Sequence, residues 1–120
     1  MMKLLANLPD HVVGVSASGH IDAKDYEIVL IPAIDSALRK RKRIRVLYLL
    51  TKDFEGFTTG AMWDDAKLGL AHLRAWERIA VVTDVQWVSN ATRMFAFLLP
   101  GLVKVFSNEE QSDAEKWIAA

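Results

Sequence analysis

The run Val46-Leu47-Tyr48-Leu49-Leu50, with Ile44 before it, is the feature that most constrains this chain. A strand wetted on one face alternates apolar and polar residues, whereas this run has no polar side and needs cover on both faces, as in the middle of a parallel sheet. Parallel neighbours need long crossover connections, usually helical. The segments on either side of the run have the spacing to supply them.

Before the run, Lys3 to Leu8 and Val12 to Ser18 are short apolar segments separated by Pro9-Asp10, and the second alternates Val13, Val15 and Ala17 with Gly14, Ser16 and Ser18. That pattern predicts a hairpin whose first strand is an edge. Asp22 can cap a helix by accepting a backbone N–H near Asp25. Pro32 interrupts the helical spacing that follows, so a short helix over Ala23 to Val29 and a second segment from Pro32 to about Arg41 are expected. After the run, Thr51 to Gly60 reads as a loop, Met62, Ala66, Gly69 and Leu73 as the stripe of a helix, and Ile79 to Val82 as a buried strand. Thr83 or Asp84 can cap a helix with the stripe Trp87, Ala91, Met94 and Leu98, stopped at Pro100-Gly101. A strand over Leu102 to Phe106 follows. Asn108 with Gln111, or Ser112 with Glu115, can then open a last helix burying Ala114, Trp117 and Ile118. Strands alternating with helices in this order predict an α/β fold with a mostly parallel five-stranded sheet, an antiparallel N-terminal edge strand and about four helices.

Composition sets the size of that fold. A chain of 120 residues, 52% of them hydrophobic, can fill one core and reads as one domain over residues 1–120. Equal numbers of basic and acidic residues argue against a general nucleic-acid surface. The absence of cysteine excludes disulfides, thiolate chemistry and sulfur-held zinc, and it fits a cytoplasmic location. Met1 to Leu8 is not a credible signal peptide, and the apolar stretch Met94 to Val103 falls short of the roughly 18 residues a membrane span needs. No stable membrane insertion is expected.

Chemistry-bearing motifs are few. His11, His20 and His72 have no metal-ligand spacing, and no nucleotide loop or nucleophile elbow is present, so no metal, cofactor or catalytic residue is expected. Asp64 and Asp65 diverge by about 100° on a helix and read as first-turn acids rather than a proton-sharing pair. Arg39, Lys40, Arg41, Lys42, Arg43 and Arg45 form a basic segment at a predicted helix end, which reads either as a solvated cap or as a site for phosphate or acidic lipid. The aromatic residues Trp63, Trp76, Trp87, Trp117, Phe54, Phe57, Phe95, Phe97 and Tyr26 either pack a core or line an apolar pocket. Phe54 and Phe57 point to a pocket because the loop that holds them is otherwise polar. Thr58-Thr59-Gly60 at a helix start offers free backbone N–H groups beside hydroxyls, a place for an N-cap, an anion or a phosphate.

Gly19-His-Ile-Asp-Ala-Lys-Asp-Tyr26, Phe54-Glu-Gly-Phe-Thr-Thr-Gly-Ala-Met-Trp-Asp-Asp65, Arg78-Ile-Ala-Val-Val-Thr-Asp84 with Trp87, and Pro100-Gly101 before Val103 to Phe106 together resemble the SpoIIAA-like family. That family is related to STAS domains and shares a fold class with CRAL-TRIO lipid-binding domains. The resemblance implies a β-α superhelix with strands in roughly sequential order and successive crossover helices on one face. Two functions follow as expectations. The first is a non-enzymatic module that binds a small apolar or lipid-like ligand, or a protein, through Phe54, Phe57, Thr58, Thr59 and Trp63. A second copy of the chain is among the protein partners considered. The alternative is a phospho-regulated anti-sigma factor antagonist with Thr58 or Thr59 as acceptor.

Overall fold

The apolar run becomes the first half of β3 (Ile44–Phe57), the middle strand of a five-stranded sheet. The computed structural model describes residues 1–99 and 102–120. Across the sheet the strands follow chain order: β1 (Met2–Leu4), β2 (Val12–Ile21), β3, β4 (Trp76–Val82) and β5 (Leu102–Phe106). β1 is antiparallel to β2, and every other neighbouring pair is parallel. The crossovers carry α1 (Ala23–Asp25) with α2 (Ile31–Lys40), then α3 (Thr59–Ala71), then α4 (Gln86–Ala96). Sequential parallel strands joined by crossovers of one hand put those helices on one face. α5 (Gln111–Ala119) follows the last strand and covers the other face.

The alternation of β3 divides the interior accordingly. Ile44, Val46, Tyr48 and Leu50 join Tyr26, Leu30, Ile34, Leu68 and Val88 under the crossover helices. Leu47 and Leu49 join Ala80, Val82, Phe106, Ala114 and Ile118 under α5.

Several elements differ from the sequence expectation. Pro32 does not split the helix. A π-helical turn over Tyr26–Leu30 precedes α2, with the Ile31 N–H bonded to the Tyr26 carbonyl. The wide turn takes the chain past the proline, which lies at the start of α2 just after the π-helical turn has loosened the ladder. β3 continues to Phe57, so Phe54 and Phe57 lie on a strand instead of a loop, paired with Gly19 and Ile21 of β2. Polar residues are tolerated there because the strand has run past the end of β4, and Lys52, Asp53 and Glu55 are exposed.

β4 starts at Trp76 rather than Ile79, and the register shift beside it lets Trp76 and Ile79 both pack with the crossover-helix side. In α4 the inward residues are Val88 and Phe95, whereas Met94 and Leu98 of the expected stripe are exposed. Val85 occupies the N-cap position of α4; the Thr83 hydroxyl accepts from the Val85 N–H, and Asp84 instead accepts from the Asn108 N–H. The capping box before α5 uses Ser107 and Glu110. Pro100-Gly101, the expected stop of α4, lies outside the described residues.

Candidate functional site

α3 is the reason the crossover-helix face is not filled. Its apolar residues point both ways: Leu68 is buried, while Trp63 and Leu70 are exposed. A helix without a single apolar stripe cannot seat its full length on a sheet. Where α3 does approach α4 the contact is close at Gly69, where a Cβ would stand 2.9 Å from the tip of the Phe95 ring. Between α3, α4, the π-helical turn and the sheet remains a cavity of about 280 Å³. The sheet supplies Val46, Tyr48, Leu50, Ile79, Val81 and Val103 to its wall. Leu30 and Ile34, Met62, Ala66 and Leu68, and Trp87, Val88 and Phe95 contribute from the helical side.

One polar chain crosses this apolar wall. The Tyr26 hydroxyl lies 2.9 Å from the Tyr48 hydroxyl and donates to Asp65 Oδ1 at 2.8 Å. Tyr26 is fully buried, and Tyr48 nearly so. Asp65 lines the cavity and is exposed there, although protein atoms crowd around its carboxyl. Burial pushes the Asp65 carboxyl above the usual carboxylate range, and the hydrogen bond from Tyr26 opposes that shift. Burial raises both tyrosines as well, helped by the charge of Asp65, so they stay neutral phenols. Asp64, one residue earlier, has no part in this chain. It is buried, meets Lys67 at 3.4 Å, and its Oδ2 has no partner among the described residues. The expectation of first-turn acids is corrected: α3 begins at Thr59, and neither aspartate lies in its first turn.

The five expected site residues are divided by the fold. Phe57 lines the cavity, edge-on to Tyr48 at 6.4 Å and to Trp87 at 6.0 Å. Phe54 stands behind it with ring centroids 4.9 Å apart. Thr58 is the N-cap of α3, its hydroxyl accepting from the Ala61 N–H at 3.1 Å. Thr59 is exposed at the first turn. Trp63, 65% exposed, has Lys67 over its ring and faces away from the cavity. The residues not singled out from sequence are Tyr48 and Asp65. Tyr48 carried a signal, since its hydroxyl lies on the same strand face as Ile44, Val46 and Leu50 and a buried hydroxyl needs a partner.

The basic segment is partly structural. Arg43 donates to the Trp76 carbonyl, and Arg45 donates to Glu77 and to the Ile118 carbonyl. Arg39 and Lys40 close the last turn of α2, where cations meet unpaired carbonyls favourably.

Comparison with known proteins adds to this geometry. A family model described as SpoIIAA-like matches residues 12–119. The chain is similar to a crystal structure of an uncharacterized protein from the DUF3478 family with a SpoIIAA-like fold from Shewanella loihica PV-4, at 30% identity and a TM-score of 0.74, over 98% of this chain and 92% of that one. No curated protein matches it. Among the described residues no helix is long and apolar enough to cross a membrane.

Proposed function

The chain belongs to the SpoIIAA-like family, and from that premise we propose that it is a non-catalytic module binding a small apolar or amphipathic ligand in the cavity beneath α3. The observation that carries the reading is the cavity itself: about 280 Å³ with an overwhelmingly apolar wall. An apolar space of roughly 150 Å³ already takes up benzene. The wall here leaves room for one ring with a short arm. The proposed site is the space bounded by Tyr26, Tyr48, Phe57, Asp65 and Trp87, which retains Phe57 from the sequence expectation. The phospho-acceptor reading has less support, because the Thr58 hydroxyl is already used in capping α3.

Intrinsic fluorescence distinguishes the cavity from the exposed start of α3. Trp87 is in the cavity wall and Trp63 is outside it. Titration with propylbenzene should change the emission of the parent and of Trp63→Phe, and replacing the two wall residues Trp76 and Trp87 by Phe should remove most of the change. A response that disappears with Trp63 and survives loss of Trp76 and Trp87 would refute the cavity as the site.

A further inference from the structure

The polar chain in the wall has a direction, and that direction says which ligands the cavity can accept. Each phenol has one proton to give. Tyr26 spends its proton on Asp65, and Tyr48, 2.9 Å from the Tyr26 oxygen, is placed to spend its own on Tyr26. Other donors in the wall are spent on backbone carbonyls: the Thr92 hydroxyl on Val88 at 2.8 Å, and the Trp76 indole N–H on Gly69 at 3.0 Å. The indole of Trp87 belongs to a half-exposed side chain at the rim. Among the described residues that line the cavity, Asp65 alone is charged, and no Lys, Arg or His accompanies it.

We infer that the cavity selects a small apolar amine, bound as its ammonium ion against the Asp65 carboxylate, over a carboxylate of the same size. The inference rests on the cavity reading above. An ammonium brings the donors that the wall lacks and the charge that Asp65 lacks a partner for. It also meets aromatic side chains, since Tyr48 and Phe57 lie together in the wall and aromatic rings attract cations. A carboxylate ligand meets no comparable donor there and is repelled by Asp65, so burying it would leave an unpaired charge. The protein atoms crowded around the Asp65 carboxyl disfavour its charge. A cationic partner offsets part of that penalty on binding.

The test is calorimetric titration of the full chain at neutral pH with phenethylammonium, hydrocinnamate and propylbenzene, repeated on Asp65→Asn. Phenethylammonium should bind the parent more tightly than hydrocinnamate, and Asp65→Asn should weaken phenethylammonium by about tenfold or more, the scale of one charge-assisted hydrogen bond. Propylbenzene, which carries no charge, should bind the parent. Equal or tighter binding of hydrocinnamate to the parent would overturn the inference while leaving the cavity reading intact, as would an Asp65→Asn variant that keeps its full affinity for phenethylammonium. The comparison of phenethylammonium with hydrocinnamate on the parent decides the matter even where the variant fails to fold. Failure of propylbenzene to bind the parent would remove the cavity reading itself.

Discussion

The two faces of one sheet have been finished differently. Under α5, Leu47, Leu49, Ala80 and Val82 meet Ala114 and Ile118 in a small packed layer. Leu5 and Leu8 pack at its side, where a Cβ at Gly14 would stand 2.3 Å from the Leu8 side chain, and the open cleft of about 440 Å³ beyond Leu8 is rimmed by Asn7, Ser112, Glu115 and Lys116 and does not reach Leu49 or Val82. Arg45 and Arg78 then donate to the carbonyls of Ile118 and Trp117 at the end of α5, satisfying groups that a helix terminus leaves unpaired. The opposite face has more helices and yet contains the cavity and the Tyr48–Tyr26–Asp65 chain. The difference teaches that cover is not filling. A short helix with one apolar side seals a sheet better than a longer one whose apolar residues point both ways.

Truncation should expose this contrast with the largest effect. Ile118→Ala opens a hole in the sealed layer and should cost about 2–5 kcal/mol, toward the upper end because its neighbours have no slack. Leu30→Ala, beside a space that already exists, should fall toward the lower end of that range. Denaturant unfolding measures both. A Leu30 cost exceeding that of Ile118 would break the comparison.

Next in size is the polar chain. Tyr26→Phe keeps the ring and removes the hydroxyl that bridges Tyr48 and Asp65. Leaving a buried partner unsatisfied costs about 1–3 kcal/mol, again read by denaturant unfolding. A neutral result would mean that water from the cavity replaces the hydroxyl, which sharpens the picture of an open face.

The mildest contrast is in pH, where the two faces should respond with opposite signs. Asp65 has a raised folded-state pKa, so between its unfolded and folded values the native state binds more protons and stability falls as pH rises. Asp65→Asn should therefore be more stable than the parent at neutral pH and lose this slope. Tyr26 and Tyr48, which face Asp65, remain neutral throughout. Glu77, held low by its hydrogen bond from Arg45 on the α5 side, contributes stability above its unfolded pKa that is lost as pH falls through its folded pKa. Glu77→Gln should remove that acid-side loss. Thermal unfolding as a function of pH separates the two variants, and slopes of the same sign for both would contradict the assignment.

Much of the architecture was legible because it follows from local periodicity. The run from Ile44 to Leu50 marked the buried strand, Pro9-Asp10 the hairpin, and the alternation of strand and helix the parallel sheet with its antiparallel edge. The extension of β3 to Phe57 was not legible, since beyond Leu50 the strand is held by pairing with β2 and carries the exposed Lys52, Asp53 and Glu55 between its apolar residues. The continuous passage across Pro32 was also hidden, because a π-helical turn depends on what the helix packs against. The site was half visible. Phe57 stood out as an aromatic in polar surroundings, but Asp65 looked like any helical acid. Its partner Tyr26 lies thirty-nine residues earlier, a separation that no helical spacing encodes.

The central claim is that the face under the crossover helices is open to a small apolar molecule and the face under α5 is closed. Methyl NMR during titration with propylbenzene tests it most directly. The account predicts saturable shifts at Leu30, Leu50, Val81 and Val88, with Leu49, Val82 and Ile118 unmoved; shifts centred on the α5 layer, or none at saturation, would contradict it.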